Sequence, residues 1–242
     1  MDKVEIQKLD KLRSGISCID SLMDGGLEPG IITEIFGEGG AGKTNLCMVF
    51  SLSALLAGER VIYLDSEGFS SERFLQLTRS APEVLPNFSL YRIGSLEDQE
   101  ISLMRVSKTL EKKKHSLVII DSFTEHFRLE KTGDPSRYSI LQKQLSLVQG
   151  IASKFTIPVL ITNQIYLDID SGNLSPFGGF VMDHVMKAIY RIDKLKDGKR
   201  TITVTKHRSI GEGRRAEFYI TGEGLSCIQT GNDIRMQPQQ IR

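Results

Sequence analysis

Apolar and polar positions along the first two thirds of the chain fall into alternating blocks of two kinds. Short, nearly continuous apolar runs are typical of strands buried on both faces, and they occupy residues 31–36, 60–65, 88–93, 116–122 and 157–164. Longer stretches with amphipathic or buried-helix patterns occupy residues 46–57, 97–114 and 137–155. This alternation predicts an α/β fold, with a mostly parallel central sheet flanked by helices and ligands at the carboxyl ends of its strands.

The pattern changes after residue 180. The segments KAIYRID, RTITVTKH and AEFYIT have the composition of antiparallel strands, and Asp197-Gly198 is a hairpin signal. We therefore expect a C-terminal antiparallel extension of the sheet. Residues 1–229 are predicted to form a single domain. Residues 230–242 have little apolar content and are predicted to be a flexible tail.

Composition places the chain among ordinary globular proteins. Of its 242 residues, 40% are hydrophobic and 25% are charged. No apolar run reaches the ~18 residues of a membrane helix, and the polar start does not resemble a signal peptide, so we expect a cytoplasmic protein. Its three cysteines, Cys18, Cys47 and Cys227, lack metal-binding spacing. Their odd number is typical of a reducing compartment, and we assign them no chemistry.

The formal net charge of +1 hides an uneven distribution. Residues 187–215 contain ten basic and three acidic residues, a net charge of +7. The remaining 21 basic and 27 acidic residues give −6. Such asymmetry indicates either an anionic partner near the C-terminal third or a solvated hairpin surface, and charge alone does not separate the two.

A glycine-rich stretch, FGEGGAGKTN, follows the first strand and precedes the first helix at residues 36–45. Its spacing fits G-x-x-x-x-G-K-[ST], in which backbone N–H groups surround phosphates, the lysine reaches the β/γ-phosphates and the hydroxyl ligates Mg²⁺. The stretch therefore predicts a site for ATP and Mg²⁺, with Thr44 on the metal. The nucleotide-binding residues are Gly37, Glu38, Gly39, Gly40, Ala41, Gly42, Lys43, Thr44 and Asn45.

Three polar residues at the ends of later strands complete this prediction. Asp121 ends the run LVIID and is expected to hold Mg²⁺ with Thr44. Glu67 follows YLDSEG and can orient water as a general base, or it can simply be a carboxylate near a helix start. Gln164 closes ITNQ, where its amide either senses the γ-phosphate or caps local backbone. With Lys43, these make the predicted catalytic set Lys43, Glu67 and Gln164.

Several sequence blocks in order resemble one known family. They are RSGISCIDSLMDGGLEPGIITEIFGEGGAGKTNL, YLDSEGFSSERF, VIIDSFTEHFRLE, IPVLITNQ and the pair Gly178-Gly179. Together, over residues 12–225, they resemble the ATPase core of the RecA recombinase superfamily in its archaeal and eukaryotic branch. Within that branch the chain is most similar to a short archaeal paralogue of the recombinases. The given chain begins almost at this core, which leaves no room for the N-terminal DNA-binding domain or the polymerisation linker of the recombinases, so a filament is not expected.

The resemblance implies roles for individual side chains. It makes Glu67 the water-activating residue, Gln164 the coupling amide and Arg73 the side chain that stacks on adenine. Lys206 and Arg208 resemble the K-x-R pair that related ATPases insert into a neighbour's site, where cations stabilise the developing phosphoryl charge. They can equally be part of the basic hairpin.

The resemblance also implies two DNA loops, at residues 126–136 and 166–180, and both stretches read as mobile loops. The first contains Arg128 and Lys131 but offsets them with two acidic residues. The second contains Asp168 and Asp170 and no Lys or Arg, so full strand exchange is not expected. The other candidate DNA contacts lie on the basic hairpin and are Lys196, Lys199 and Arg200.

Aromatic residues near these loops can stack on bases of single-stranded DNA. The candidates are Phe127, Tyr138, Phe177 and Phe180. We expect core packing, rather than DNA, to use at least two of them.

The leading hypothesis is an ATP-binding and DNA-binding accessory of homologous recombination and DNA repair, with slow ATP hydrolysis. It would bind single-stranded or branched DNA with low sequence specificity and assist a full recombinase or another recombination protein, with possible self-association. One alternative is an active strand-exchange recombinase. A second is a KaiC-like signalling ATPase that binds protein rather than DNA.

Overall fold

The computed structural model describes residues 9–129, 136–167 and 174–228. The helices within these ranges are α1 (Ser17–Leu22), α2 (Lys43–Leu56), α3 (Ser71–Leu77), α4 (Leu96–Lys112), α5 (Glu125–Leu129), α6 (Ser136–Phe155) and α7 (Gly179–Val185). The strands are β1 (Ile32–Gly37), β2 (Val61–Asp65), β3 (Phe88–Arg92), β4 (Leu117–Asp121), β5 (Val159–Leu167), β6 (Leu174–Pro176), β7 (Ala188–Lys194), β8 (Lys199–His207), β9 (Arg215–Thr221) and β10 (Gly224–Cys227). A 3₁₀ helix, Pro82–Asn87, precedes β3.

All ten strands belong to one sheet, ordered β10-β9-β8-β7-β1-β5-β4-β2-β3, with β6 paired to β5. The strands from β7 to β3 in this order run parallel, and β8, β9 and β10 continue the sheet in antiparallel fashion. The predicted fold class is confirmed. Parallel strands need crossover helices, which explains why the apolar runs and amphipathic stretches alternate in the sequence.

Helices cover both faces of the sheet. Every residue of β1, β2 and β4 is buried, as their continuous apolar sequences predicted. One apolar cluster contains Ile35 and Tyr63 with residues of α1, α2 and α3. The other contains Phe36 and Ile62 with residues of α4, α6 and α7. Successive residues of a strand therefore pack into different apolar clusters on opposite faces, which fixes the register of the sheet.

The antiparallel extension begins with the predicted hairpin. Strands β7 and β8 are joined by a turn in which Asp197 has a φ of 58°. Because β7 runs parallel to β1, this turn lies at the same edge of the sheet as the end of β1, where the glycine-rich stretch begins.

The stretch 166–180 was predicted to be one loop, and this is wrong for part of it. Strand β5 continues to Leu167, β6 pairs back onto it through Ile165↔Pro176, and α7 starts at Gly179. Polar and glycine residues concealed this hairpin, because β-propensity is weak where pairing decides the structure. Residues 130–135, 168–173 and the predicted tail lie outside the described residues.

Two cysteines for which the sequence indicated no partner form a disulfide. Cys18 of α1 and Cys227 of β10 are bonded, with their Cα atoms 5.8 Å apart, although 209 residues separate them. Cys47 is buried and free. The bond ties the first helix to the last described strand, a pairing that depends on the three-dimensional fold alone.

In the part of the chain that the structure describes, no helix is both long enough and apolar enough to cross a membrane.

Candidate functional site

The glycine-rich loop joins β1 to α2 at the carboxyl edge of the sheet. Two of its glycines are required by the backbone path. A Cβ atom on Gly37 would lie 2.2 Å from the carbonyl oxygen of Ile192, and Gly42 has a φ of 113°, which L side chains rarely adopt. Only glycine allows this backbone path, which directs the N-terminus of α2 toward the loop, as in a phosphate-binding loop.

Lys43 begins α2 and is buried. Its Nζ donates to the carbonyl oxygens of Gly37 (2.8 Å) and Glu38 (3.1 Å). Burial lowers the pKa of Lys43, while the carboxylates of Glu67 and Asp121 oppose this shift. The ammonium is thus held inside the loop, where a phosphate would supply the anionic partner that favours its charged form.

Asp121 is the buried carboxylate at the end of β4. Tyr63 donates its hydroxyl to Asp121 Oδ2 (2.6 Å), Thr162 donates to Oδ1, and Thr44 also bonds to the carboxylate. Burial raises the pKa of Asp121 even though these three hydrogen bonds lower it. The peptide bond from Asp121 to Ser122 is cis.

The hydroxyl of Thr44 and the carboxylate of Asp121 lie together. Both are hard oxygen donors of the kind that Mg²⁺ prefers when phosphates and water complete its shell, so this pair fits the ion. Among the described residues, no cluster of three or more His, Cys, Asp or Glu is arranged to hold a metal. A cation at Thr44 and Asp121 therefore depends on ligands from the nucleotide.

Two of the three predicted catalytic side chains are in contact: Glu67, two residues after β2, and Gln164, within β5. Gln164 Nε2 donates to Glu67 Oε1 at 2.8 Å. The turn that carries Glu67 is shaped by buried Asp65, which accepts N–H bonds from Gly68 (2.9 Å) and Phe69 (2.8 Å). Glu67 itself is exposed to solvent, which a water-activating carboxylate requires.

Arg73 of α3 also lies beside the start of α2. Its Nε donates to Asn45 Oδ1 (3.0 Å), and its Nη2 donates to the carbonyl oxygen of Thr221 (2.6 Å). Further bonds run to Gln76 and Gly222. The guanidinium is thus held in a fixed plane between α2 and the β9–β10 turn, and its stacking on adenine stays a prediction.

The basic turn between β7 and β8 lies against the phosphate loop. Arg200 is half-buried, and its Nε donates to the carbonyl oxygen of Ala41 (3.1 Å). Lys194 lies 3.9 Å from Glu38. Lys196 is exposed and Lys199 half-buried, and within the described ranges neither side chain forms an ion pair or hydrogen bond. Arg200 therefore contacts the glycine-rich loop directly, whereas Lys196 and Lys199 are available to an external anion.

Lys206 and Arg208 lie toward the opposite end of β8, about 20 Å along the strand from Arg200. Lys206 donates to the carbonyl oxygen of Asp183, and Arg208 forms a two-pronged ion pair with Glu28, its Nη2 lying 2.6 Å from Oε1. At this distance they cannot reach the nucleotide loop of their own chain.

The candidate residues in and near the two predicted DNA loops also differ in their surroundings. Arg128 pairs with Glu125 of the same short helix (3.1 Å), and Lys131 lies outside the described residues. Phe127 is buried, and Phe177 packs partly buried against the same core, which confirms the expected core role for two of the four aromatics. Tyr138 and Phe180 remain 53% and 81% exposed.

Sequence inspection overlooked the partners that position the predicted residues. Asp65 shapes the Glu67 turn, and Tyr63 and Thr162 orient Asp121. A usable signal was present, because each is a polar side chain within a buried, otherwise apolar strand. Such groups are rarely buried without a hydrogen-bond partner, so they indicate a network.

The chain is similar to several known proteins. The family model described as Rad51 matches residues 5–228. The DNA repair and recombination protein RadB of Thermoplasma acidophilum is 55% identical over 230 residues, covering 94% of this chain and 99% of that protein. RadB of Pyrococcus furiosus is 34% identical, covering 90% and 96%. A crystal structure of the RadB recombinase is 32% identical, with a TM-score of 0.77 and coverage of 90% of this chain and 100% of that one.

Proposed function

The chain belongs to the Rad51 family, and we propose that it is a DNA repair and recombination protein whose DNA binding is controlled by ATP. In this proposal it acts as an accessory of homologous recombination and hydrolyses ATP slowly. The observation that supports this best is the 2.8 Å bond between Gln164 and Glu67. It links the residue proposed to face the attacking water to the strand that leads into the second proposed DNA loop, residues 166–180.

The proposed chemistry uses this chain's own side chains. Lys43 binds the β/γ-phosphates as a charged donor, and Glu67 accepts the proton of the attacking water. Mg²⁺, held by Thr44 and Asp121, would neutralise phosphate charge when bound. Gln164 bonds to Glu67 and is thereby sensitive to whether a γ-phosphate is present.

The proposed DNA surface combines the exposed aromatic rings of Phe180 and Tyr138 with the cations Lys196 and Lys199. Phe180 is the second residue of α7, which follows the hairpin formed by β5 and β6, and it is 81% exposed. Tyr138 lies near the start of α6, just after residues 130–135, and is 53% exposed. Exposed rings suit single-stranded DNA, where stacking is independent of sequence. The acidic residues Asp168 and Asp170 favour the accessory over a strand-exchange enzyme.

A second candidate is an active recombinase that assembles with its own copies. It is favoured by Lys206 and Arg208, which lie toward the end of β8 that is remote from the glycine-rich loop. A nucleotide that they reach would have to be bound by a neighbouring chain.

ATP hydrolysis and fluorescence anisotropy with a labelled single strand test the proposal. We expect binding that changes between ADP and a non-hydrolysable ATP analogue, with little stimulation of hydrolysis by DNA. Strong stimulation would favour the recombinase, and no binding at low salt would favour a signalling ATPase. Lys43→Ala should lose nearly all nucleotide affinity, since its ammonium is the cation inside the loop, and unchanged affinity would remove the site assignment.

Phe180→Ala tests the proposed stacking surface. Loss of one stacked base costs ~1–3 kcal/mol, so DNA affinity should fall by about 5- to 100-fold. Tyr91→Ala is a control, because Tyr91 is a 47% exposed ring on the edge strand β3 and belongs to neither proposed loop. Equal effects of the two substitutions would contradict a specific role for Phe180.

A further inference from the structure

A carboxyl group that the proposed reaction does not use is buried in the middle of β1. Glu34 is 1% exposed, and its neighbours Asn163 and Thr124 are fully buried. Buried carboxyl groups in a strand core are rare, because removing one from water is costly unless a specific partner compensates. We call Glu34, Asn163 and Thr124 the Glu34 node.

Asn163 is the centre of this node. Its Nδ2 donates to Glu34 Oε1 (2.7 Å) and to the carbonyl oxygen of Phe177 (2.9 Å), and its Oδ1 accepts from Thr124 Oγ1 (2.7 Å). A carbonyl oxygen can only accept, so the contact with Phe177 fixes which end of the amide faces it. The amide therefore has one orientation, set from three sides.

Each partner belongs to a different functional segment. Thr124 immediately precedes α5, which leads into residues 130–135. Phe177 immediately follows β6, so its bond to Asn163 closes the base of the hairpin around residues 168–173. Glu34 lies on β1, three residues before the phosphate loop. The node thus joins the bases of both proposed DNA loops to the strand that carries the nucleotide.

Asn163 and Gln164 are consecutive residues of β5 and project from opposite faces of the sheet. Gln164 contacts Glu67 on one face, and Asn163 contacts the loop bases on the other. A small movement of this part of β5 would reach both faces together.

We propose that Glu34 and Thr124 are positioning residues that act through Asn163 to couple the bases of both loops to the nucleotide-sensing residue Gln164. This inference rests on the proposed function and extends it. It differs from a purely structural role because it requires the loop bases to respond to nucleotide.

The charges that face Glu34 come from two elements besides its own strand. Burial dominates and raises the pKa of Glu34 to about 7. The bond from Asn163 and the charge of Lys206 of β8 lower this pKa, and the charge of Asp183 of α7 raises it. Above that pH the bond from Asn163 is charge-assisted, and below it the acceptor is neutral and weaker. The coupling should therefore be stronger at pH 8 than at pH 6.

Hydrogen exchange tests the node without DNA. Exchange of amides in 125–129 and 174–177 would be measured with and without a non-hydrolysable ATP analogue, and the ratio of the two rates cancels the intrinsic effect of pH. In wild type we expect a ratio of about 5 or more at pH 8. Thr124→Val, which removes only the hydroxyl, should lower it below about 2 with nucleotide affinity nearly unchanged. Thr124→Ser, which keeps the hydroxyl, should restore it.

Glu34→Gln is the second variant and keeps an acceptor for Asn163. It should show no difference between pH 6 and pH 8, whereas wild type should. Each of three results would overturn the proposed coupling role of the node. They are a wild-type exchange ratio near 1, a ratio that Thr124→Val leaves unchanged, and a pH response in Glu34→Gln equal to that of wild type. Absence of DNA binding with these exchange results intact would overturn the proposed function alone. Normal nucleotide-controlled DNA binding without the exchange response would overturn the node alone.

Discussion

The two ends of strand β8 have similar charges but different surroundings. At one end, Arg200 is half-buried and donates to the carbonyl oxygen of Ala41 in the phosphate loop. At the other, Lys206 contacts the end of α7 and Arg208 pairs with Glu28, about 20 Å away along the strand. Along the sequence, the two ends belong to one stretch of charge +7.

This difference shows that cations that are close together in the sequence need not form one charged surface in the folded protein. An antiparallel hairpin directs its turn toward one edge of the sheet and its ends toward the other, so adjacent cations separate. The near end contacts the glycine-rich loop of its own chain. The far end contacts Asp183 and Glu28 of the same chain, away from that loop.

Glu67→Gln tests whether the near edge is catalytic. An amide keeps the shape but cannot accept a proton from water, so hydrolysis should fall by ~10²- to 10⁴-fold while nucleotide affinity stays unchanged. Single-turnover hydrolysis and equilibrium titration measure the two quantities. Glu72→Gln is the control, because Glu72 is an exposed carboxylate in the first turn of α3. Equal hydrolysis by Glu67→Gln and wild type would assign Glu67 to structure.

Glu34 lies between the two edges, in register with Ile189 and, through it, Lys206. Its pKa is raised from 4.5 to about 7, so the folded state holds the proton more tightly than the unfolded state. The stability of the wild type should therefore fall as pH rises from about 4.5 to about 7, by up to ~3 kcal/mol, and then level off.

Glu34→Gln cannot titrate and should remove that fall. The variant should gain stability relative to wild type as pH rises, and the gain should be complete above about pH 7. Urea unfolding at pH 5 and pH 8 measures the difference. A stability difference between variant and wild type that is the same at both pH values would contradict the raised pKa.

Arg200→Ala and Arg208→Ala compare the two ends directly. Loss of the Arg200 bond to Ala41 should loosen the phosphate loop and lower nucleotide affinity by about 10-fold, since a hydrogen bond from a charged group contributes ~1.5 kcal/mol. Arg208→Ala should leave nucleotide affinity unchanged. If Arg208 acts on a neighbour, its variant should lose hydrolysis only at high protein concentration. Equal losses of nucleotide affinity would show that the ends do not differ.

Charge reversal at Lys196 and Lys199 gives the smallest effect. If these lysines contact DNA phosphates, each lost contact should reduce the salt slope of single-strand binding by ~0.7, regardless of base sequence. Fluorescence anisotropy over a salt series measures the slope. Arg200 is left intact, because its bond to Ala41 would mix a nucleotide effect into the result. An unaltered slope would move the DNA surface to the loops.

Much of the site could be predicted from local sequence. The phosphate loop needs a fixed spacing of glycines, Lys43 and Thr44 within one turn, so its residues are adjacent in the chain. Asp121 and Gln164 were predictable because parallel strands end at one edge of the sheet. The 2.8 Å contact between Gln164 and Glu67 was not predictable, since it depends on the strand order that brings β5, β4 and β2 together.

The sequence by itself determined the alternating elements, the antiparallel extension and the glycine-rich loop, because periodicity, turn residues and glycine spacing act over a few residues. The tertiary structure alone decided which distant groups meet. It paired Cys18 with Cys227, joined Asn163 to both Glu34 and Thr124, and separated Arg200 from Arg208. Such contacts depend on strand order and register, which are set by packing both faces of the sheet and not by any local stretch of sequence.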